Sequence, residues 1–236
     1  MKIRFLVFIV LVCSGCISYG QEDLEARTKP IVNEGKILYR SEMASWYGTD
    51  MFIAQFKDMD KVGGYFSYSY QDKERCIFFS KGDNPVVLGT ISFDSTFNNK
   101  NATLDLAQRT FSTEESDIYT FRQKALKIIN TDTLFKKYEN TDLNLIPVTT
   151  PEERKIYILT GPKKDGMVIF GNDYLLTFDL SNTLISKRAL HKNIIVANYS
   201  TNSNDTNKIV GGMHSHLPET GDFITPTDIC TLMLYE

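Results

Sequence analysis

Residues 62 to 93, VGGYFSYSYQDKERCIFFSKGDNPVVLGTISF, decide the fold. Three runs rich in Val, Ile, Phe and Tyr lie here, Tyr65 to Tyr70, Cys76 to Ser80 and Val86 to Phe93, punctuated by Gly63-Gly64 and Gly82-Asp83-Asn84-Pro85. Short β-branched and aromatic runs between turn residues are strand signals, and their close, regular spacing predicts an antiparallel sheet. Outward from this stretch, the same signal predicts strands at Lys36 to Tyr39, Met51 to Phe56 and Ala102 to Leu106, the last after the Asn98-Asn99-Lys100-Asn101 turn.

One long helix is expected from Ser112. Glu115 sits at capping-box distance, and Ile118, Phe121, Ala125, Ile128 and Ile129 fall on one helical face. A second short helical piece is expected at Thr133 to Tyr138. The two prolines of Leu145 to Pro151 suggest a boundary. Beyond it strands are predicted at Lys155 to Thr160, Met167 to Phe170, Tyr174 to Asp179, Leu184 to Arg188, Ile194 to Tyr199 and Ile209 to His216, with a polar loop at Ser200 to Asn207. Thr225-Pro226-Thr227-Asp228 then has the N-cap, first-turn Pro and N3 acid of a helix start. The fold class is α+β: an antiparallel sheet with a packed helix, followed by a mostly β C-terminal segment that ends at a helix start. The expected organisation is a leader (residues 1–20), an N-terminal α+β domain (21–150) and a C-terminal segment (151–236).

The leader has a simple basis. Lys2 and Arg4 precede the apolar run Phe5 to Val12, and small residues follow at Ser18 and Gly20, as in a secretory signal peptide. That run is far shorter than the roughly 20 residues a membrane span needs. Cys16, after Ser14 and Gly15, offers a rival lipoprotein site, although Cys13 stands where a lipobox carries Leu; a membrane partner follows only from lipidation there. Export to the periplasm or the medium is the expected localisation.

Composition is that of an ordinary folded protein, with 42% hydrophobic and 23% charged residues in 236, which excludes disorder, collagen and coiled coil. Removing residues 1–20 takes two basic residues and leaves 24 basic against 29 acidic, a net charge of −5 that argues against nucleic acid as a partner. Only Cys76 and Cys230 survive that cleavage. They do not make a disulfide scaffold, and their distance in the fold decides whether they pair.

Chemistry concentrates near the C-terminus. His214-Ser215-His216 lies at the end of an expected strand, where side chains two apart share a face. Two imidazoles followed twelve residues later by Asp228 can supply three ligands of an open zinc site. His191 follows Arg188-Ala189-Leu190 and reads as a surface or packed histidine, with an added ligand or supporting group as its alternative role. Glu219 and Asp222 are alternative oxygen ligands. For Thr225 and Asp228, helix capping is the competing explanation.

This pattern resembles that of the JAB/MPN (JAMM) metallopeptidases, His-x-His, seven residues, Ser, two residues, Asp. Here eight residues separate His216 from Thr225, and Thr stands for Ser. The resemblance implies zinc held by His214, His216 and Asp228, a catalytic Thr225 in place of the Ser that helps polarise the substrate carbonyl, and hydrolysis of an amide bond in a peptide or protein substrate. The family's catalytic Glu has no counterpart between Lys155 and Pro218; Glu152 and Glu153 border the region, and Asp173 and Asp179 are carboxylates within it. A wider resemblance, to exported proteins of Bacteroidota, rests on Tyr39 to Gly48, Gly171 to Leu176 and Met213 to Glu236 and implies bacterial export without an activity. The rival class is a non-catalytic exported binding or structural protein, whose histidines pack and whose Trp46-Tyr47-Gly48, Tyr65, Phe66, Tyr68 and Tyr70 form an aromatic face.

Overall fold

From Gly35 to Phe52 the residues that turn inward are Gly35, Leu38, Ser41, Glu42, Ala44, Ser45, Gly48 and Phe52. Their spacing of three and four is that of a helix, and the computed structural model, which describes residues 2–198 and 213–236, has the helix α1 running Lys2–Gln55. The strands expected at Lys36 to Tyr39 and Met51 to Phe56 are therefore corrected to helix. Their apolar residues are short pieces of a longer stripe whose other members are small or polar, so each reads as a brief apolar run although the full stripe has a period of 3.6. Small residues let α1 approach its neighbours closely: a Cβ on Gly35 would stand 2.5 Å from Ile229 Cβ, and one on Gly48 would stand 2.8 Å from Cys76 Cβ. Among the described residues no helix is long and apolar enough to cross a membrane.

The first sheet is antiparallel, in the order β1 (Val62–Tyr70), β2 (Lys73–Ser80), β3 (Val87–Phe93), β4 (Thr103–Asp105). Helix α2 (Thr113–Thr131) follows, with Ser112 and Glu115 closing the expected capping box. The second sheet has the order β5 (Thr141–Thr149), β6 (Arg154–Pro162), β8 (Tyr174–Phe178), β9 (Leu184–Ala189), again antiparallel. A separate ribbon pairs β7 (Met167–Gly171) with β10 (Ile194–Asn198), and α3 (Pro226–Leu234) ends the described chain.

The central strands of both sheets are buried on both faces, which explains their nearly continuous apolar sequences. Ile77 and Phe79 of β2, and Ile156 and Ile158 of β6, join Ile118, Phe121 and Ala125 of α2 in one core. The alternate residues point the other way. Cys76 and Phe78 meet Ala44 and Phe52 of α1, while Tyr157 and Leu159 meet Leu38 of α1 and Cys230 of α3. The two cysteines thus lie buried in different clusters, both free, and the possible disulfide is not formed. Phe66 and Tyr68 are likewise core residues, so the strand that carries them does not present an open aromatic face.

Other expectations are corrected locally. Thr133 to Tyr138 is a turn, because the Asp132 carboxylate takes the Leu134 N–H at 3.0 Å and Phe135 drops into the core. The boundary expected at Leu145 to Pro151 is not a break: Leu145-Ile146-Pro147-Val148-Thr149 belongs to strand β5, where Pro147 is tolerated because β5 is an edge strand. Residue 150 falls in the turn of the β5–β6 hairpin, so the segments before and after it share a sheet. Residues 213–216 belong to no ladder, while 199–212, including the loop expected at Ser200 to Asn207, lie outside the described residues.

Gly35→Ala would ordinarily favour a helix by about 1 kcal/mol, but the clash with Ile229 should lower stability by about 1–3 kcal/mol in urea unfolding; a raised midpoint would contradict this packing. Burial pushes the Glu42 carboxyl up to about 7 against the opposing hydrogen bond from Asn144. The folded state therefore keeps that proton longer than the unfolded chain, and stability should fall as pH rises from about 4.5 to 7, by on the order of 2–3 kcal/mol. Glu42→Gln should flatten that part of the urea-midpoint profile, and an unchanged slope would contradict the assignment.

Candidate metal centre

The site is built on the first turn of α3. Thr225 Oγ1 accepts the Asp228 N–H at 3.2 Å, and Asp228 Oδ2 accepts the Thr225 N–H at 2.9 Å, a reciprocal capping box. Thr225 also donates its hydroxyl proton to Asp228 Oδ2 at 2.7 Å. The hydroxyl that the sequence resemblance directs at a substrate carbonyl is thus buried and committed to Asp228, which it orients. Capping and site formation use the same two residues.

Three imidazoles converge on that carboxylate. His216 Nε2 lies 3.0 Å from Oδ2, His214 Nε2 3.2 Å from Oδ1, and His191 Nε2 3.1 Å from each oxygen. One donor atom from each of His191, His214, His216 and Asp228 lies within 4.8 Å of the others. His214 and His216 meet here without a strand to align them. His191 arrives from elsewhere: β7 and β8 are joined by a tight turn in which Gly171 has φ +81° and Asn172 φ +56°. Asn172 N–H donates to Asn193 C=O, and Leu190 N–H donates to Asp173 C=O, so the turn is clamped to the segment carrying His191. A side chain at Gly171 would strike the Asn193 carbonyl at 2.3 Å.

The same turn delivers Asp173, 2% exposed, whose Oδ2 lies 3.5 Å from His191 Nδ1 and whose Oδ1 accepts the Thr160 N–H at 2.8 Å. The other carboxylates expected near the site do not reach it. Glu153 pairs with Lys155, Glu152 is exposed, Asp179 caps the β8–β9 turn through Ser181 and Thr183, Glu219 pairs with Lys192 at the surface, and Asp222 is exposed.

Electrostatics favour the ligand forms of Asp228 and His216, and the protonated form of His191. Burial works against charge on Asp228, but the His191 contact and the Thr225 hydrogen bonds prevail and hold its carboxyl well below the usual range. His216 is pushed down by burial, with His191 and His214 adding repulsion against the pull of Asp228, which favours the neutral, lone-pair form. Burial also opposes charge on His191, yet Asp228 and Asp173 raise it. Asp173 is pushed up to about 7 by burial, which its His191 neighbour opposes. Both ring nitrogens of His216, and Nδ1 of His191, are buried without a hydrogen-bond partner, so the approach of His216 to Asp228 lacks hydrogen-bond alignment. Buried polar atoms normally have partners. The orphaned His216 Nε2 beside the Asp228 carboxylate is what a cation would satisfy, and three imidazole nitrogens with one oxygen are a donor set that zinc accepts. The cluster can hold a metal ion.

Access is from one side. The His214 side chain is 23% exposed against 8% for His191, 9% for His216 and none for Asp228. A cavity of about 390 Å³ opens beside His191, with Asn172 and Tyr174 in its wall. Comparison of the chain with protein families, curated proteins and solved structures found no match.

Asp228→Ala should remove both the helix cap and the one acid facing three imidazoles. Loss of a buried charge partner costs about 3–5 kcal/mol; urea unfolding at pH 7 with chelator present should show a loss of that order, and a loss under about 1 kcal/mol would contradict the arrangement.

Proposed function

We propose that this chain is an exported, zinc-dependent hydrolase of amide bonds with a JAB-like centre, acting on peptide or protein substrates. The observation that carries the reading is the convergence of His191, His214 and His216 on the buried carboxylate of Asp228. The His-x-His…Thr-x-x-Asp resemblance supports the choice of zinc and of amide hydrolysis, and the leader-like residues 1–20 support export.

His214, His216 and Asp228 would hold the ion, with His191 at hydrogen-bond distance from the Asp228 carboxylate and not needed as a ligand. When bound, zinc supplies a Lewis acid that polarises a carbonyl and brings the pKa of water toward neutrality. The protein's own residues prepare for this. Thr225 fixes the Asp228 carboxylate through Oγ1 and its backbone N–H, the α3 first turn presents that carboxylate to the imidazoles, and Asp173 stands behind His191. Phe170, whose ring lies 5.5 Å from that of His214, excludes water from one flank while the exposed edge of His214 leaves the approach for a substrate.

A second reading has an observation of its own. Four protein donors close a tetrahedral site, the pattern of structural zinc, so the ion would tie α3 to the segments carrying His191 and His214 without turnover. His191→Ala separates the two: the hydrolase needs only three donors and keeps its zinc, whereas a structural clamp loses affinity as it would with any other ligand removed.

Elemental analysis of the purified, dialysed protein tests the shared premise. Near one zinc per chain is expected, falling to below roughly a tenth in His214→Ala/His216→Ala. A folded wild-type protein without zinc would overturn both readings.

A further inference from the structure

We infer that a second cavity, separate from the metal centre and independent of its function, binds a primary ammonium group on a short apolar stem. It measures about 350 Å³ and lies between α1, β5, β6 and α3, with Glu42 in its wall. Small-ligand sites start at roughly this size.

Glu42 is the feature that asks for a ligand. It is 4% exposed, yet among the described residues no Lys or Arg pairs with it. Its polar partner is Asn144, whose Nδ2 donates to Oε2 at 3.2 Å. Up to about pH 7 burial keeps a proton on this carboxyl; above that it is a buried carboxylate without a cation, which is costly, so at pH 8 a cation entering from the cavity would supply what the fold omits. Neither rim lysine pairs with Glu42: Lys163 is held by Asp142 at 2.8 Å, and Lys164 makes no ion pair among the described residues.

The surroundings select the kind of cation. Trp46 and Tyr235 stand at the cavity with their rings edge to face, centroids 6.0 Å apart, and aromatic rings favour ammonium ions. Leu159, Ile169 and Leu234 give an apolar wall for an alkyl stem. Asn144 occupies Oε2, leaving Oε1 for a point-like donor; a guanidinium fork would want both oxygens. Around Glu42 a divalent metal finds that carboxylate and the Asn144 amide, too few donors for a site of its own.

Trp46 is the chain's one tryptophan and lies in the cavity wall, so its fluorescence reports occupancy directly. Titrating the full protein with n-pentylammonium chloride and with n-pentanol, at pH 8 and constant ionic strength, should give saturable binding of the ammonium at least tenfold tighter than the alcohol. Glu42→Gln, which keeps the shape and removes the charge, should abolish that preference. Nα-acetyl-lysine methylamide, as a third probe, separates a peptide-borne lysine from a free amine by which binds more tightly. Equal affinity for ammonium and alcohol, no saturation by either amine, or an unaltered preference in a folded Glu42→Gln protein would overturn the proposal; zinc content plays no part in the outcome.

Discussion

The Asp228 carboxylate is the point on which the C-terminal half of this protein depends. Being fully enclosed, it needs partners, and it has them from two directions: the Thr225 backbone and hydroxyl from its own helix, and three imidazoles from outside it. Either set alone would leave oxygen lone pairs buried. Together they fix the helix start, the 214–216 segment and the His191 loop relative to one another. Two of those segments lack a sheet ladder at the site, so the carboxylate takes over the ordering that strands supply elsewhere.

The rest of the fold holds this helix in place. α3 is only nine residues long and, isolated, would not persist. It is kept by α1, whose glycine at position 35 lets Ile229 against the backbone, and by the face of the second sheet that carries Tyr157 and Leu159. Gly171 and Asn172 bend the chain so that Asp173 and the His191 segment arrive behind the imidazoles. The electrostatic consequence is a graded set of groups, an acid kept ionised, a histidine kept neutral and a second acid, Asp173, kept close to protonation.

Much of this was legible in the sequence where local chemistry and tertiary outcome agree. The α2 and α3 caps and the paired strands from Tyr65 to Phe93 follow from residue type and spacing, whereas His214, His216 and Asp228 meet without the strand expected to align the histidines. α1 did not follow in this way, because its buried stripe consists largely of Gly, Ser and Ala, whose value lies in what they let approach and not in their own hydrophobicity. His191 was undervalued for a different reason: its supporting acid is eighteen residues upstream, and only the β7–β8 turn and the β9 return bring the two together. The short helix expected at Thr133 failed because Asp132 competes for the backbone, a side-chain effect that hydrophobic period does not register.

The proposed zinc would sit in this His₃Asp cluster and not at the cysteines. X-ray absorption at the zinc edge of the purified, dialysed protein tests it most directly. A metal held by the cluster gives nitrogen and oxygen neighbours only, at about 2.0–2.2 Å, with the outer-shell scattering of at least two imidazoles. A sulfur shell at about 2.3 Å, the distance of a thiolate ligand, would overturn that placement.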